Sequence, residues 1–386
     1  MALLPKTAEV VIIGGGVMGT STAYHLAKKG CRQVVLLEKE TFFGQGATGR
    51  CAGGFRHQFA TEIDIRLSKH SIPMLERFSL EMGQEIGFNQ CGYLFLLSRE
   101  EDVLAFRENV ELQRRLGVES VWLSAEEIAQ LVPVIHLEGI AASTFCGQDG
   151  LADPSSVVQG YVKGARRLGA TLLTETEALD IEVAGGRVRG VVTDRGRIQT
   201  PVVVNAAGPW AGQVGAMAGV DVFVKPVRRQ MSVTTPIPQL PADFPMVIDF
   251  AQSLYFHREG PGILTGMSNP DEPPGFDQSV DLDWQIRHFE AATLRMPILA
   301  EAGILNSWAG LYEVSPDALP ILGRVAELDG FICINGFSGH GFMHGPICGL
   351  LIAEEIVDGG AHTVDIKSLR IERFERREGL KEYVVV

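Results

Sequence analysis

The sequence has little that would cross-link it or anchor it to a membrane. Its six cysteines (Cys31, Cys51, Cys91, Cys146, Cys333, Cys348) lie far apart, and none forms a C-x-x-C pair. That spacing suggests neither a zinc site nor a disulfide framework, and points to buried free thiols. Basic residues are in deficit, 34 Lys and Arg against 47 Asp and Glu, for a net charge of −13. A nucleic-acid binder carries a basic face, so no nucleic-acid partner is expected. The acidic balance fits a soluble cytoplasmic protein. The opening MALLPKTAEVVIIGG has no basic stretch leading into an apolar core and cleavage site, so no secretory signal is read.

Long apolar runs are also missing. The weakly polar stretch 202–220 contains Asn205, Gly208, Pro209, Gly212, Gly215 and Gly219. A membrane span needs about 20 mostly apolar residues, so this stretch reads as strand, turn and helix, and no transmembrane segment is expected. Repeats and low-complexity segments are absent, and the 44 Gly and 19 Pro are scattered. What remains is a chain of 386 residues, 46% of them hydrophobic, with material for a large core and two domains.

The N-terminal segment carries the first positive signal. Glu9 to Ile13 (EVVII) reads as a buried parallel strand that runs into Gly14-Gly15-Gly16-Val17-Met18-Gly19, a G-x-G-x-x-G. A helix is expected from Val17 to Lys29, ended by Gly30, then a strand from Gln33 to Leu37 that delivers Glu38. Gly14 suits a tight turn, Gly16 a close approach to pyrophosphate, and Gly19 close helix–strand packing. The helix N-terminus offers free N–H groups to phosphates. Glu38, followed by Lys39, is placed to accept ribose hydroxyls, and its charge disfavours NADP. The unit leaves NAD and FAD both open.

Three later segments bear on that choice. Gly44 to Phe59 is a glycine-rich loop containing Gly46, Ala47, Thr48, Arg50, Cys51, Ala52 and Gly53. Val202 to Ala211 is an apolar strand ending in Asn205-Ala206-Ala207-Gly208-Pro209-Trp210. Trp308 to Asp317, with Gly310 inside it, and Pro320 to Gly323 lead to Gly336-Phe337-Ser338-Gly339-His340-Gly341-Phe342-Met343, then a helix from Gly345 to Val357. Together these segments resemble the D-amino-acid-oxidase-like flavoenzymes, and within them the sarcosine oxidase and proline dehydrogenase β-subunit group. The resemblance runs over essentially the whole chain.

That resemblance implies an α/β fold with a discontinuous FAD-binding Rossmann-like domain (1–86, 146–222 and 310–386). It also implies an α+β substrate domain on a mixed or antiparallel sheet (87–145 and 223–309). The central Gly92 to Leu97 strand and the helix 100–116 resemble the start of that second domain. The implied chemistry is oxidation of a small amine, by preference secondary, or amino acid such as sarcosine, L-proline or an opine, with the flavin carrying the redox step. The implied FAD-binding residues are Gly14, Gly16, Val17, Met18, Gly19, Glu38 and Lys39, the loop residues named above, and Ala207, Gly208, Trp210 and Gly310. The turn adds Gly336, Gly339, His340, Gly341, Phe342 and Met343. No nucleophile or metal is required, and no metal-ligand cluster is read.

An amino-acid substrate needs a fixed cation, and Arg56 aligns with the family's carboxylate-binding arginine. The other reading of Arg56 is a surface residue paired with an acid such as Glu62. A lysine that completes the family's clamp is Met343 here. Tyr255 supplies a hydroxyl or packs in the core, and His340 contacts flavin or substrate or merely shapes its turn. His57 is a weaker candidate. The family's covalent tethers, a cysteine in some members and a histidine in others, fall at Gly310 and Arg50, so FAD is expected to be noncovalent. Pro154 stands where some members carry a second flavin. The lysine that promotes reaction with oxygen falls near Leu264, which favours a dehydrogenase over an oxidase. Partner subunits or a homo-oligomer fit the β-subunit likeness. A flavin-bound assembly subunit without turnover and an NAD-dependent reductase are the competing readings.

Overall fold

The computed structural model describes residues 3–376 and 381–385. Two large sheets organise the chain. The first has six strands in the order Ile321–Arg324, Phe331–Asn335, Val203–Asn205, Val10–Ile13, Val34–Leu37, Thr171–Leu173. Its neighbours run parallel except for Ile321–Arg324, which is antiparallel to Phe331–Asn335. Val10–Ile13 and Val34–Leu37 are buried at every position, as strands covered on both faces must be. Val10, Ile12, Val34 and Leu36 pack on one side with the helices Val17–Lys28, Pro154–Arg167 and Gly341–Val357. Val11, Ile13, Val35 and Leu37 pack on the other against a three-stranded sheet (178–199) and the helix Ala211–Met217.

The second sheet has eight strands: Ile304–Val314, Lys225–Thr234, Gly262–Met267, Leu254–Glu259, Met246–Asp249, Tyr93–Leu97, Ala142–Cys146, Val121–Trp122. It is mixed, antiparallel throughout except where Met246–Asp249 runs parallel to Tyr93–Leu97. Strand alternation gives it two characters. Leu94 and Leu96 join Val247, Leu254 and Phe256 in a core capped by the helix Leu282–Arg295. Tyr93, Phe95, Met246 and Ile248 point the opposite way, toward the first sheet. The expected mixed α/β fold is present.

Local predictions hold to within a residue or two at most ends. The first helix ends at Lys28, with Gly30 at φ +91° closing it through a bond from Cys31 N to Leu26 O. The stretch 202–220 is strand, 3-10 turn and helix, and among the described residues no helix is long and apolar enough to cross a membrane. The last long helix differs. It begins at Gly341 rather than Gly345 and carries Pro346 inside it. Proline forfeits one N–H, and its position alone does not fix the helix start. The earlier start brings the helix N-terminus to the Gly336–Gly339 turn. All six cysteines are free, three buried and three half-buried.

Candidate active site

The two sheets face each other across a cavity of about 560 Å³, within the range of ligand sites. At one end lies the first βα turn. Gly14 sits at φ +113°, and a Cβ there would stand 2.3 Å from Ala206 O. Only glycine allows the strand Val203–Asn205 and the turn to meet so closely. Gly16 is open toward the cavity, where an added Cβ would meet only Thr48 Oγ at 3.1 Å. The helix Val17–Lys28 has no side-chain cap from its own N-cap residue, and Thr48 Oγ accepts from Val17 N at 3.1 Å. Such an uncapped N-terminus beside small residues suits a pyrophosphate. Glu38 accepts from Gly15 N (2.8 Å) and Glu40 N (2.9 Å), and burial raises its carboxyl above the usual range.

Nearly all the expected FAD-binding residues line this cavity, from Gly14, Glu38 and Lys39 through Gly46–Thr48, Arg50–Gly53, Ala207, Gly208 and Trp210 to Gly310 and Gly339–Met343. Gly19 and Gly336 do not. Gly19 lies under the turn, where a Cβ would be 1.9 Å from Gly14 O, and Gly336 (φ +77°) donates its N–H to Glu313. Phe276 stacks on the lining residue Trp210 at 5.8 Å, and Lys39 sits over the same indole at 4.2 Å.

In the middle, the turn before Gly341 is strained. Ser338 is left-handed at φ +48° between Gly336 and Gly339. Glu313 supports it, accepting from Gly336 N at 3.0 Å while its backbone accepts from Ser338 N. Burial pushes the Glu313 carboxyl up to about 7. The N-terminus of the helix Gly341–Val357 has no side-chain cap and borders the cavity, a setting for an isoalloxazine edge that gains negative charge. The glycine-lined cradle, the acid at the tip of its strand and this helix N-terminus fit an FAD.

The far end is built from side chains of the eight-stranded sheet. Three tyrosines each occupy space left by a glycine: Tyr93 against Gly54, Tyr255 against Gly266, Tyr312 against Gly339. Burial raises the pKa of all three phenols, so they enter the site as neutral hydroxyls. Met231, Met246 and Ile248 supply apolar surface, and Arg229 stands among them.

Arg56 lines the cavity but is no surface residue; it is 5% exposed, and Glu62 pairs instead with Arg66 at 2.6 Å. Its guanidinium donates to the carbonyls of Gln58 and Val384 and lies 3.8 Å over the Phe59 ring. Segment 381–385 packs here. Buried Glu382 accepts from Thr61 Oγ (2.9 Å) and the backbone N–H of Ala60 and Thr61 (both 3.0 Å). His57 holds Asp149 at 2.9 Å, a buried pair that also takes Gln58.

His340 borders the cavity, yet its Nε2 faces Asp64 at 3.8 Å, and His344 Nδ1 faces the same oxygen at 3.9 Å. The three facing atoms lie within 4.8 Å of one another and have no hydrogen-bond partner among the described residues. Sequence spacing gave no sign of this cluster, because Asp64 and the two histidines come from separate helices. Phe59 packs against both His rings, at 5.4 and 5.3 Å, and against the Arg56 guanidinium at 3.8 Å. That nearby positive charge opposes a dication. Burial holds both imidazoles well below the usual histidine range, so they are neutral, and raises Asp64 well above its own. Arg229, Tyr93, Tyr312 and Glu313 were not singled out by sequence. The usable signal for Arg229 was strand alternation with Met231.

Comparison with known proteins agrees with the geometry. The chain is 34% identical to mouse sarcosine dehydrogenase over 96% of its length and 42% of that protein. It is 34% identical to rat dimethylglycine dehydrogenase over 91% of its length and 43% of that protein. It thus spans about two fifths of each of these two relatives. The crystal structure of L-proline dehydrogenase from P. horikoshii superposes with a TM-score of 0.91 at 35% identity, covering 97% of this chain and 100% of that one. The model of the DAO family of FAD dependent oxidoreductases matches residues 9–355, and the chain belongs to that family.

Proposed function

We propose that the protein oxidises a small secondary amine bearing a carboxylate, of the sarcosine, L-proline or opine type, to the imine. The observation that supports this reading is the cavity itself, which joins a dinucleotide cradle to a compact chamber of three neutral tyrosines, two methionines and an arginine. Bound FAD would supply the redox chemistry, accepting a hydride equivalent from the substrate's α-carbon at N5. The chain's own groups bind, orient and exclude water. The N-terminal turn and Glu38 hold the dinucleotide. The uncapped start of the helix from Gly341 would offer backbone N–H groups to the ring. Tyr93, Tyr255 and Tyr312 close the chamber, with Tyr255 offering a hydroxyl to the substrate. His340 shapes the turn from behind.

Three arginines line the cavity; Arg50 donates to the carbonyl of Ala309, and Arg56 and Arg229 are the two at the chamber. Arg56 would have to give up its bond to Val384 to take one. The positions where relatives carry tethers are Arg50 and Gly310, and Cys51, the nearby thiol, is pushed up to about 11 by burial, which leaves no thiolate to attach a flavin. We therefore read the FAD as noncovalent, so acid precipitation releases all of it into the supernatant. Lys39, at the dinucleotide end, is the one lysine lining the cavity among the described residues. That supports a dehydrogenase that passes electrons to a partner or carrier. A cytoplasmic location rests on charge alone, and cell fractionation tests it. The reaction is tested by single turnover without oxygen: one carbonyl product should be trapped by a hydrazine reagent per flavin bleached. Flavin that stays oxidised with every amine would contradict it.

A further inference from the structure

Two adjacent arginines on the strand Lys225–Thr234 have opposite fates. Arg228 points to the loop outside the cavity and is surrounded by acids, with Glu272 at 2.9 Å, Asp277 at 2.7 Å and Asp281 at 3.6 Å. Arg229, by alternation, points inward. Its Nη1 donates to the carbonyl of Arg228 at 3.0 Å, while its buried Nε has no hydrogen-bond partner among the described residues. The acid that acts on it at longer range is Glu272, which Arg228 already holds. Its aromatic neighbours are the Tyr312 ring at 5.4 Å and Tyr255.

Arg229 is half-buried with its Nε fully covered; a guanidinium held this far from water without a close counter-charge is costly, and the cost is met when a ligand brings an anion. The phosphates of a dinucleotide belong at the other end of the cavity, at Gly14–Val17. What reaches Arg229 is whatever fills the chamber beside Tyr255, Tyr312 and Met231. Arg56, by contrast, already spends both terminal nitrogens on backbone carbonyls and lies among Glu382, Asp149 and Asp64.

We propose that Arg229 is the residue that binds the substrate's carboxylate, with the hydroxyls of Tyr255 and Tyr312 beside it, and that it selects acids over their neutral counterparts. Met231, Met246 and Ile248 would then receive the substrate's carbon skeleton, which favours compact apolar side groups. This deepens the functional reading above and rests on it for the word substrate. The anion site itself does not.

The test uses the FAD-loaded protein. First, benzoate and acetate are titrated into oxidised enzyme, and the Kd is read from the flavin absorbance shift. Arg229→Gln should weaken these Kd values about 100-fold, the loss expected for a charge-assisted fork, and Arg229→Lys should recover part of it. Second, sarcosine and its methyl ester are compared as reductants. The wild type should prefer the acid strongly through KM, and Arg229→Gln should lose the preference, with a smaller effect on kcat. Equal flavin content in the variants shows that the fold and cofactor site survive. Anion Kd values within about threefold of wild type in Arg229→Gln, with the loss appearing in Arg56→Gln instead, would overturn the assignment. Loss of FAD affinity in Arg229→Gln with unchanged anion binding would also overturn it. If no amine bleaches the wild type, the reaction is wrong, while the benzoate titration still decides Arg229.

Discussion

The two ends of the cavity are made of different materials. The dinucleotide end is backbone: glycines at 14, 15, 16 and 46, uncapped N–H groups, and one carboxylate at the tip of a strand. The chamber end is side chain: tyrosines, methionines and an arginine drawn from five strands and one loop of the eight-stranded sheet and its neighbours. Backbone sites demand particular residues at fixed spacing, so substitutions there act through sterics and abolish cofactor binding. Side-chain sites tolerate change one group at a time and tune selectivity.

The largest effect belongs to the backbone end. Gly14→Ala places a Cβ 2.3 Å from Ala206 O at a left-handed backbone position. The purified variant should bind FAD at least about 100-fold more weakly by fluorescence titration, because turn and strand must separate. A normal Kd would mean that the cradle is softer than this packing implies. At the border between the ends, Arg56→Gln removes a buried cation that holds Val384 and balances Glu382. We expect a loss of about 3 kcal/mol in unfolding free energy, read by denaturant melts. A stable variant with selectively impaired carboxylate binding would instead return Arg56 to the role its sequence context suggests.

Within the chamber, Tyr255→Phe should leave flavin content unchanged and lower kcat/KM by about 10-fold. The smallest effect concerns Glu313. Its folded pKa of about 7 lies above the ordinary carboxyl value of 4.5, so the folded state binds more protons than the unfolded state between those values. The stability of the FAD-free protein should therefore fall as pH rises from about 4.5 to 7. In Glu313→Gln that slope should flatten. A melting curve with the same slope in both proteins would contradict the buried carboxyl.

This difference in materials explains what could be read in advance. The strand, the glycines of the first turn, Glu38 and the Gly336–Phe342 segment are local patterns whose physics is written in consecutive residues. They were legible together with the fold, and nearly all of them reach the cavity. The helix start at Gly341 was misread by one turn because Pro346 looks like a first-turn residue. Arg229 was passed over because its alternation with Met231 was the one signal in Lys225–Thr234, and that does not say which face of the strand meets the chamber. Only the pairing of that strand with Ile304–Val314 and Gly262–Met267 decides which arginine meets acids outside and which faces the chamber. Asp64, His340 and His344 meet only because two helices pack, which no spacing rule encodes. Tyr93 and Tyr312 depend in the same way on glycines distant in sequence that leave room for their rings.

One measurement bears on the whole reading: the visible spectrum of the purified, oxygen-free protein before and after addition of sarcosine, L-proline and an opine. A yellow protein whose flavin bands bleach with at least one of these acids, and not with its methyl ester at the same concentration, is the predicted result. A protein that takes up no FAD, or one whose flavin stays oxidised with all of them, would contradict it.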